Sequence, residues 1–138
     1  MKTLVTIIIF FSINTQLIAE SNDINLPINL EADSVEINEK NQIAIFKGNV
    51  ELTQGSILIK ADYIEVKQNE KGFQSGIAKG NPVNFYQKSK NNEEIKGSAD
   101  YVEYDGTNGN LILSGKANII KGNNQVQAEF ISYNTLTE

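Results

Sequence analysis

The chain has 138 residues, with 17 acidic side chains against 12 lysines, a formal charge of −5, and no histidine, arginine or cysteine. That length supports one hydrophobic core. The acidic balance gives no electrostatic basis for nucleic-acid binding, where phosphate contacts dominate affinity. Without cysteine there are no disulfides, thiolate metal sites or lipid-modified amino terminus.

Lys2 precedes an apolar run from Leu4 to Ile13. The run is too short for a bilayer, which needs about 20 residues, but has the length of a signal-peptide core. Residues 1–19 are therefore expected to be a cleavable export signal, cut near Ala19, and export of a chain without disulfides is compatible with a bacterial periplasm. Removing them takes away Lys2 and no acid, leaving 11 lysines against 17 acids and a net charge of −6. Residues 20–27 read as a tether: Glu20, Ser21, Asn22, Asp23 and Asn25 favour turns, and Pro27 removes a backbone donor.

From Ile28 onward the hydrophobic pattern has period two, and no window carries a helical stripe, so residues 28–138 are predicted to form one all-β domain. The stretch from Phe46 to Val66 reads as three short strands with tight connections. Turn signals, among them Lys47-Gly48-Asn49, Gln54-Gly55, Gln68 to Gly72, Lys79-Gly80-Asn81-Pro82, Asp105 to Asn110 and Ser114-Gly115, recur every 8 to 12 residues. That rhythm belongs to sandwiches, rolls and solenoids.

Two units repeat along the chain. One is Ala32-Asp33-Ser34-Val35-Glu36-Ile37, with copies at Ala61 to Val66 and Ala99 to Tyr104 and a looser one at Ala128 to Tyr133. The other is Gly48-Asn49-Val50-Glu51-Leu52, with looser copies at Gly80 to Phe85 and Gly115 to Ile119; the Gly80 copy has an extra residue at Pro82, which suggests a bulge or an edge. The units interleave, as in a stack of like layers that shares one core.

Strand parity assigns the faces. Val35, Ile64, Val102 and Ile131 form one inward column, and Ile37, Val66, Tyr104 and Tyr133 the next. Val50 with Leu52, Val83 with Phe85, and Ala117 with Ile119 supply the opposing wall. Ile28, Leu30 and Phe46 join the inward set, while Glu36, Glu65 and Glu103 face water beside Tyr63 and Tyr101. The result is an aliphatic trough lined by Ile28, Leu30, Val35, Ile37, Phe46, Val50, Leu52, Ile64, Val66, Val83, Phe85, Val102 and Ile119.

Catalytic readings fare poorly. Asp and Glu within each Ala-Asp unit lie three apart, on opposite faces of a strand, so they do not form a working carboxylate pair. No loop has the oxygen density calcium needs. Without histidine or cysteine no nucleophile motif stands out, and Gly76 and Gly80 precede no helix that could complete a phosphate loop. The chain is read as no enzyme, with no cofactor and no metal. Lys47, Lys79 and Lys116 flank the glycines of the second unit; a solvated rim is the commoner reading and contact with ligand phosphates the sharper one.

An aliphatic trough selects an acylated ligand. Each buried methylene gains about 0.8 kcal/mol, so a dozen gain on the order of 10 kcal/mol, against about 1 for a polar contact. The stack also ends in two strand edges able to add a partner strand. One is placed at Ile28, Asn29, Leu30 and Glu31, the other at Glu129, Phe130, Ile131 and Ser132 within residues 125–133. A structural or adhesive β-solenoid, with a filled core and edges that only polymerise, is the competing reading.

The pieces Pro27-Ile28-Asn29-Leu30-Glu31-Ala32-Asp33, Phe46-Lys47-Gly48-Asn49-Val50, Leu52-Thr53-Gln54-Gly55, Ile59-Lys60-Ala61-Asp62 and Gly80-Asn81-Pro82-Val83-Asn84-Phe85-Tyr86-Gln87, in this order, resemble the OstA-type (LptA) family of periplasmic lipopolysaccharide transport proteins. The resemblance covers residues 26–134. It implies an open, twisted, V-shaped β-jelly-roll acting as a non-enzymatic bridge, with lipid A acyl chains in the groove. Ile28 and Phe85 match ligand-facing positions of the family. The resemblance further implies LptC at the amino-terminal edge and the LptD amino-terminal domain, or a head-to-tail copy of the same chain, at the carboxy-terminal edge. Family members usually continue one or two strands beyond the point matching Glu138, so the stack is either shorter here or the sequence truncated.

Overall fold

A computed structural model describes residues 27–88 and 92–134. The expected export signal and all of the tether except Pro27 lie outside the described residues. Eight strands follow in order: β1 Asn29–Glu31, β2 Ser34–Asn38, β3 Ile43–Gln54, β4 Ile57–Asn69, β5 Gly72–Lys88, β6 Glu94–Asp105, β7 Asn110–Lys121 and β8 Asn124–Asn134. They form one antiparallel sheet in which β1 and β2 both pair with β3 and each later strand pairs with the next, ending at β8. The fold is all-β, one open antiparallel sheet, with no helix among the described residues.

The segment from Phe46 to Val66 differs from expectation. It holds parts of two long strands, and Lys47-Gly48-Asn49 is a bulge inside β3 rather than a connection between strands. The signals at Gly80 and Gly115 likewise fall within β5 and β7. Real reversals occur at Gly55 and around residues 70–71, 106–109 and 122–123. In the 106–109 turn Asp105 Oδ1 accepts from Thr107 N at 2.8 Å, and Asp105 O accepts from Gly109 N at 2.8 Å.

The bulges align. Register shifts fall between Lys47 and Val50 on β3, between Lys79 and Val83 on β5, and between Ser114 and Ala117 on β7. Each leaves two or three residues facing one acid on the neighbouring strand, so every strand bends at the same level. The sheet thus carries a crease across its whole width. Gly48 shows why the motif needs glycine: its φ is +79°, and a Cβ there would lie 2.5 Å from Asp33 Oδ2.

Folding along the crease turns one face inward. A Cβ at Gly97, on one side of it, would lie 3.9 Å from Leu113 Cδ2 on the other side. The larger buried cluster also mixes both sides, Leu30, Val50 and Val83 with Phe46, Ile64 and Val66. A smaller cluster of alanine and leucine side chains, Ala99, Leu113 and Ala117, lies toward β8.

Candidate functional site

The register joins the inward residues into unbroken rows across the stack. On one wing Val35, Phe46, Ile64, Ala78, Val102, Leu113 and Ile131 face their neighbours in turn, followed toward the rim by Ile37, Ala44, Val66, Gly76, Tyr104, Leu111 and Tyr133. On the other wing Leu30, Leu52, Ile59, Phe85, Gly97, Ile119 and Val126 form the matching rim row. Beside the crease the paired residues are small: Val50 with Ala61, Val83 with Ala99, and Ala117 with Ala128. Small side chains let the wings approach where the angle closes, and larger ones occupy the wider opening.

Burial follows the same taper. Phe46, Val50 and Val83 are 0–1% exposed and seal the floor with the protein's own atoms. Leu30, Ile64 and Val66 are buried beside them, and Ile28, Val35, Leu52 and Val102 pack half-buried against that cluster. Ile119 packs half-buried against the smaller one. Phe85 is half-buried, with its Cδ1 3.6 Å from the Cβ position of Gly97, so its ring fills the space that residue leaves. Ile37 is 58% exposed. It borders an opening of ≈ 300 Å³ that reaches down to Ala44, Phe46 and Val66, with Asn38, Glu39 and Gln68 on its polar lip. The trough is therefore filled at its floor and open at its rim.

Several lining residues escaped the sequence reading. Phe73 stacks on Tyr104 with ring centroids 5.9 Å apart, and a Cβ at Gly76 would lie 3.5 Å from Phe73 Cζ. Ala44, Ile59, Leu111 and Leu113 also face inward. Phe73 was hidden directly behind a turn signal. Leu111-Ile112-Leu113 is an apolar run in which parity cannot be read.

The outer face is polar and locally paired. Tyr63 donates to Glu65 at 3.3 Å and Tyr101 to Glu103 at 3.4 Å. Burial first, then the adjacent Glu65 or Glu103 carboxylate, raises each phenol above its ordinary range. Lys47 sits 3.8 Å from Glu36, and Lys79 lies over the Tyr63 ring at 5.1 Å. Such exposed contacts are worth little individually, but they show these lysines engaged on the outer face, away from the apolar rows. Among the described residues no group of three or more His, Cys, Asp or Glu side chains could hold a metal ion.

Among the described residues both ends of the stack are strands. The amino-terminal end extends beyond the expected Ile28 to Glu31, because β2 continues the same level past a break at Ala32 and Asp33. At the other end lies β8, which carries Glu129, Phe130, Ile131 and Ser132. Its Val126, Phe130 and Tyr133 are 55%, 59% and 40% exposed.

Residues 29–138 match the family model described as LptA/(LptD N-terminal domain) LPS transport protein. The lipopolysaccharide export system protein LptA of Haemophilus influenzae is 31% identical over 118 residues, covering 83% of this chain and 69% of that protein. The Escherichia coli K12 protein of the same name is 29% identical over 83% of this chain, but the match spans only 63% of the E. coli protein, a little under two thirds of its length. The crystal structure of LptH, described as the LptA-homologous periplasmic component of the lipopolysaccharide transport device of Pseudomonas aeruginosa, superposes with a TM-score of 0.77 at 28% identity, covering 83% of this chain and 80% of that one. With its creased sheet, its inward apolar rows and a family match over nearly all the described residues, the chain belongs to the LptA/(LptD N-terminal domain) family of LPS transport proteins.

Proposed function

We propose that the chain is a non-enzymatic periplasmic carrier that passes lipopolysaccharide from an inner-membrane complex toward the outer-membrane assembly complex, with the acyl chains held between the two wings. The observation that carries this reading is the pair of rim rows. They run without a polar break from Ile37 to Tyr133 and from Leu30 to Val126, over a floor already sealed by Phe46, Val50 and Val83. An acyl chain laid over that floor replaces water on half-buried Leu52, Ile59, Phe85, Val102 and Ile119. Each methylene so sheltered gains about 0.8 kcal/mol, enough to hold a lipid that has left a bilayer. The contact is non-directional, so a lipid slides from level to level without the loss of any particular hydrogen bond. Direction comes from the partners at either end.

In this reading the amino-terminal edge, Ile28 to Glu31 with β2, receives LptC, and the β8 edge receives the LptD amino-terminal domain. Copies of the chain stacked head to tail are the alternative occupant of both edges. The cleavable signal over residues 1–19 and the single domain over 28–138 belong to the same proposal.

The test is to purify the mature chain from a lipopolysaccharide-producing host, extract it and identify bound lipid by mass spectrometry, then titrate the delipidated protein with lipid A. Co-purifying lipid A and saturable binding that Phe85→Asp weakens about tenfold or more support the carrier. A chain that takes up no lipid in either assay fits the purely structural solenoid instead.

A further inference from the structure

The wing that carries Phe46 is open at one level and closed at the next. The opening of ≈ 300 Å³ draws its lining from β2, β3, β4 and the turn between β2 and β3. Its floor is Ala44, Phe46 and Val66, and its last lining residues on β4 are Gln68 and Asn69. Across the β4–β5 ladder those two face Phe73 and Gly72. A large aromatic ring therefore stands where the opening stops.

Local features of the backbone put the ring there. Val66 faces Gly76 and Lys67 faces Ser75, so unbroken pairing would set Gln74 against Gln68. The ladder shifts at this point instead: Gln68 faces Phe73, and Gln74 is the extra residue of a bulge. The shift turns an aromatic ring inward in place of a carboxamide. Gln74 O accepts from Gly106 N at 2.8 Å, which ties the bulge to the turn after β6. A side chain at Gly106 would collide with the ring, since its Cβ would lie 2.7 Å from Phe73 Cδ1. Phe73 Cζ lies over Gly76, 3.5 Å from a Cβ position there, and the ring stacks on Tyr104 with 18° between the planes. A bulge, two glycines and a tyrosine thus hold one side chain at the rim.

The opening itself is held in shape. Gln68 N donates to Gln42 O at 3.0 Å, and Asn41 N donates to Asn38 Oδ1 at 3.0 Å, so both sides of its lip are hydrogen-bonded. Sites for small ligands are commonly preformed in this way, with apolar floors and volumes from about 300 Å³ upward. The lining includes one carboxylate, Glu39, and no lysine. A phosphate gains nothing from such a lip, whereas hydrocarbon gains from the floor.

We propose that this opening is a blind side pocket for the methyl end of one acyl chain, and that Phe73 is its end wall, the residue that sets how long a chain the pocket accepts. The proposal takes the source of that chain from the carrier reading above and adds a length limit that the apolar rows alone do not impose. Beyond the ring the inward row resumes with Tyr104, Leu111 and Tyr133. A shorter side chain at position 73 therefore joins the pocket to the rest of the trough.

The test uses the purified, delipidated mature chain and saturated fatty acids of increasing length, each with a photoreactive diazirine at its methyl end. Cross-linked peptides are identified by mass spectrometry. With the wild-type chain the label is expected on the peptides that carry Phe46, Val66 and Phe73. Affinity is expected to rise about fourfold per added methylene up to a limiting length and then to level off. Phe73→Leu is expected to move that limit to longer chains and to spread the label to Tyr104 and Leu111. Ala44→Leu fills the pocket from its floor without removing packing, and is expected to reduce the label at Val66 about tenfold while the circular dichroism stays that of the wild type. It reads the same site from the opposite side, so the inference stays testable if the Phe73 variant fails to fold. Bound lipid A is expected to displace the label, which separates a chain of the carried lipid from a free fatty acid. Label spread evenly over both wings, a limit unmoved by Phe73→Leu, label at Val66 undiminished by Ala44→Leu, or label that bound lipid A fails to displace would each overturn the inference and leave the carrier reading standing. A chain that shows the limit and the label at Phe73 but binds no lipid A would sink the carrier reading and leave the pocket.

Discussion

Phe46 on β3 is 0% exposed and Phe130 on β8 is 59% exposed, although both sit on strands of the same repeating sheet. The contrast extends to their surroundings. β1 to β5 hold eight residues of the larger buried cluster, with Ala32 between β1 and β2 as the ninth, whereas β6 and β7 hold the three of the smaller one and β8 holds none. Phe46 points between the wings, where both sides of the crease meet it. Phe130 continues the outward row that runs through Tyr63, Lys79, Tyr101 and Ser114. A repeat therefore fixes direction and register but not burial, which depends on neighbours above and below. The first half is the more consolidated part of the sheet, and β8 leaves Val126, Phe130 and Tyr133 exposed.

The strongest way to break that comparison is to cut into both clusters. Phe46→Ala should cost about 3–5 kcal/mol in urea unfolding, and Leu113→Ala about 2–3, because the smaller cluster has less packing to lose. Equal losses would show that the halves are equally consolidated. Next in size, Gly48→Val should cost about 1–3 kcal/mol from its positive φ and the clash with Asp33, whereas Gly76→Ala, which has no positive φ and an ordinary 3.5 Å neighbour, should change stability by less than about 1. A similar cost at both would remove the crease as the reason for the motif.

Ile119→Asp on the rim should reduce lipid A binding about tenfold while Glu65→Ala on the outer face leaves it unchanged, with both measured by titration. The reverse order would move the site off the groove. Hydrogen exchange should sharpen the picture further, with β8 amides exchanging well before those of β4.

The smallest effect concerns pH. The Tyr63 and Tyr101 phenols titrate above their ordinary value in the folded protein, chiefly through burial. Their contribution is fully present below the unfolded tyrosine pKa of about 10 and is lost as pH rises through the folded value. Glu65→Gln and Glu103→Gln should bring each titration back toward the ordinary range in ultraviolet absorbance, leaving the burial part of the shift.

Much of this architecture was legible before any coordinates. The columns Val35, Ile64, Val102, Ile131 and Ile37, Val66, Tyr104, Tyr133 lie in register as parity requires. They were readable because the Ala-acid copies contain no insertion, so period two survives along each. The glycine copies misled for a physical reason: Gly-Asn with left-handed backbone serves a tight hairpin and a bulge equally well, and only pairing on the far side tells them apart. Depth was the other hidden quantity. Nothing local distinguishes Phe46, sealed in the floor, from Phe85 on the rim, since that difference arises from the closing angle between wings.

The crease also has a mechanical meaning. It crosses the strands along the same direction as the ladders, so a change in the angle between the wings is a rotation about the bulge residues, and the paired segments on either side travel as intact plates. On the carrier reading, such a rotation would change the width of the groove while leaving the backbone ladders on either side unbroken.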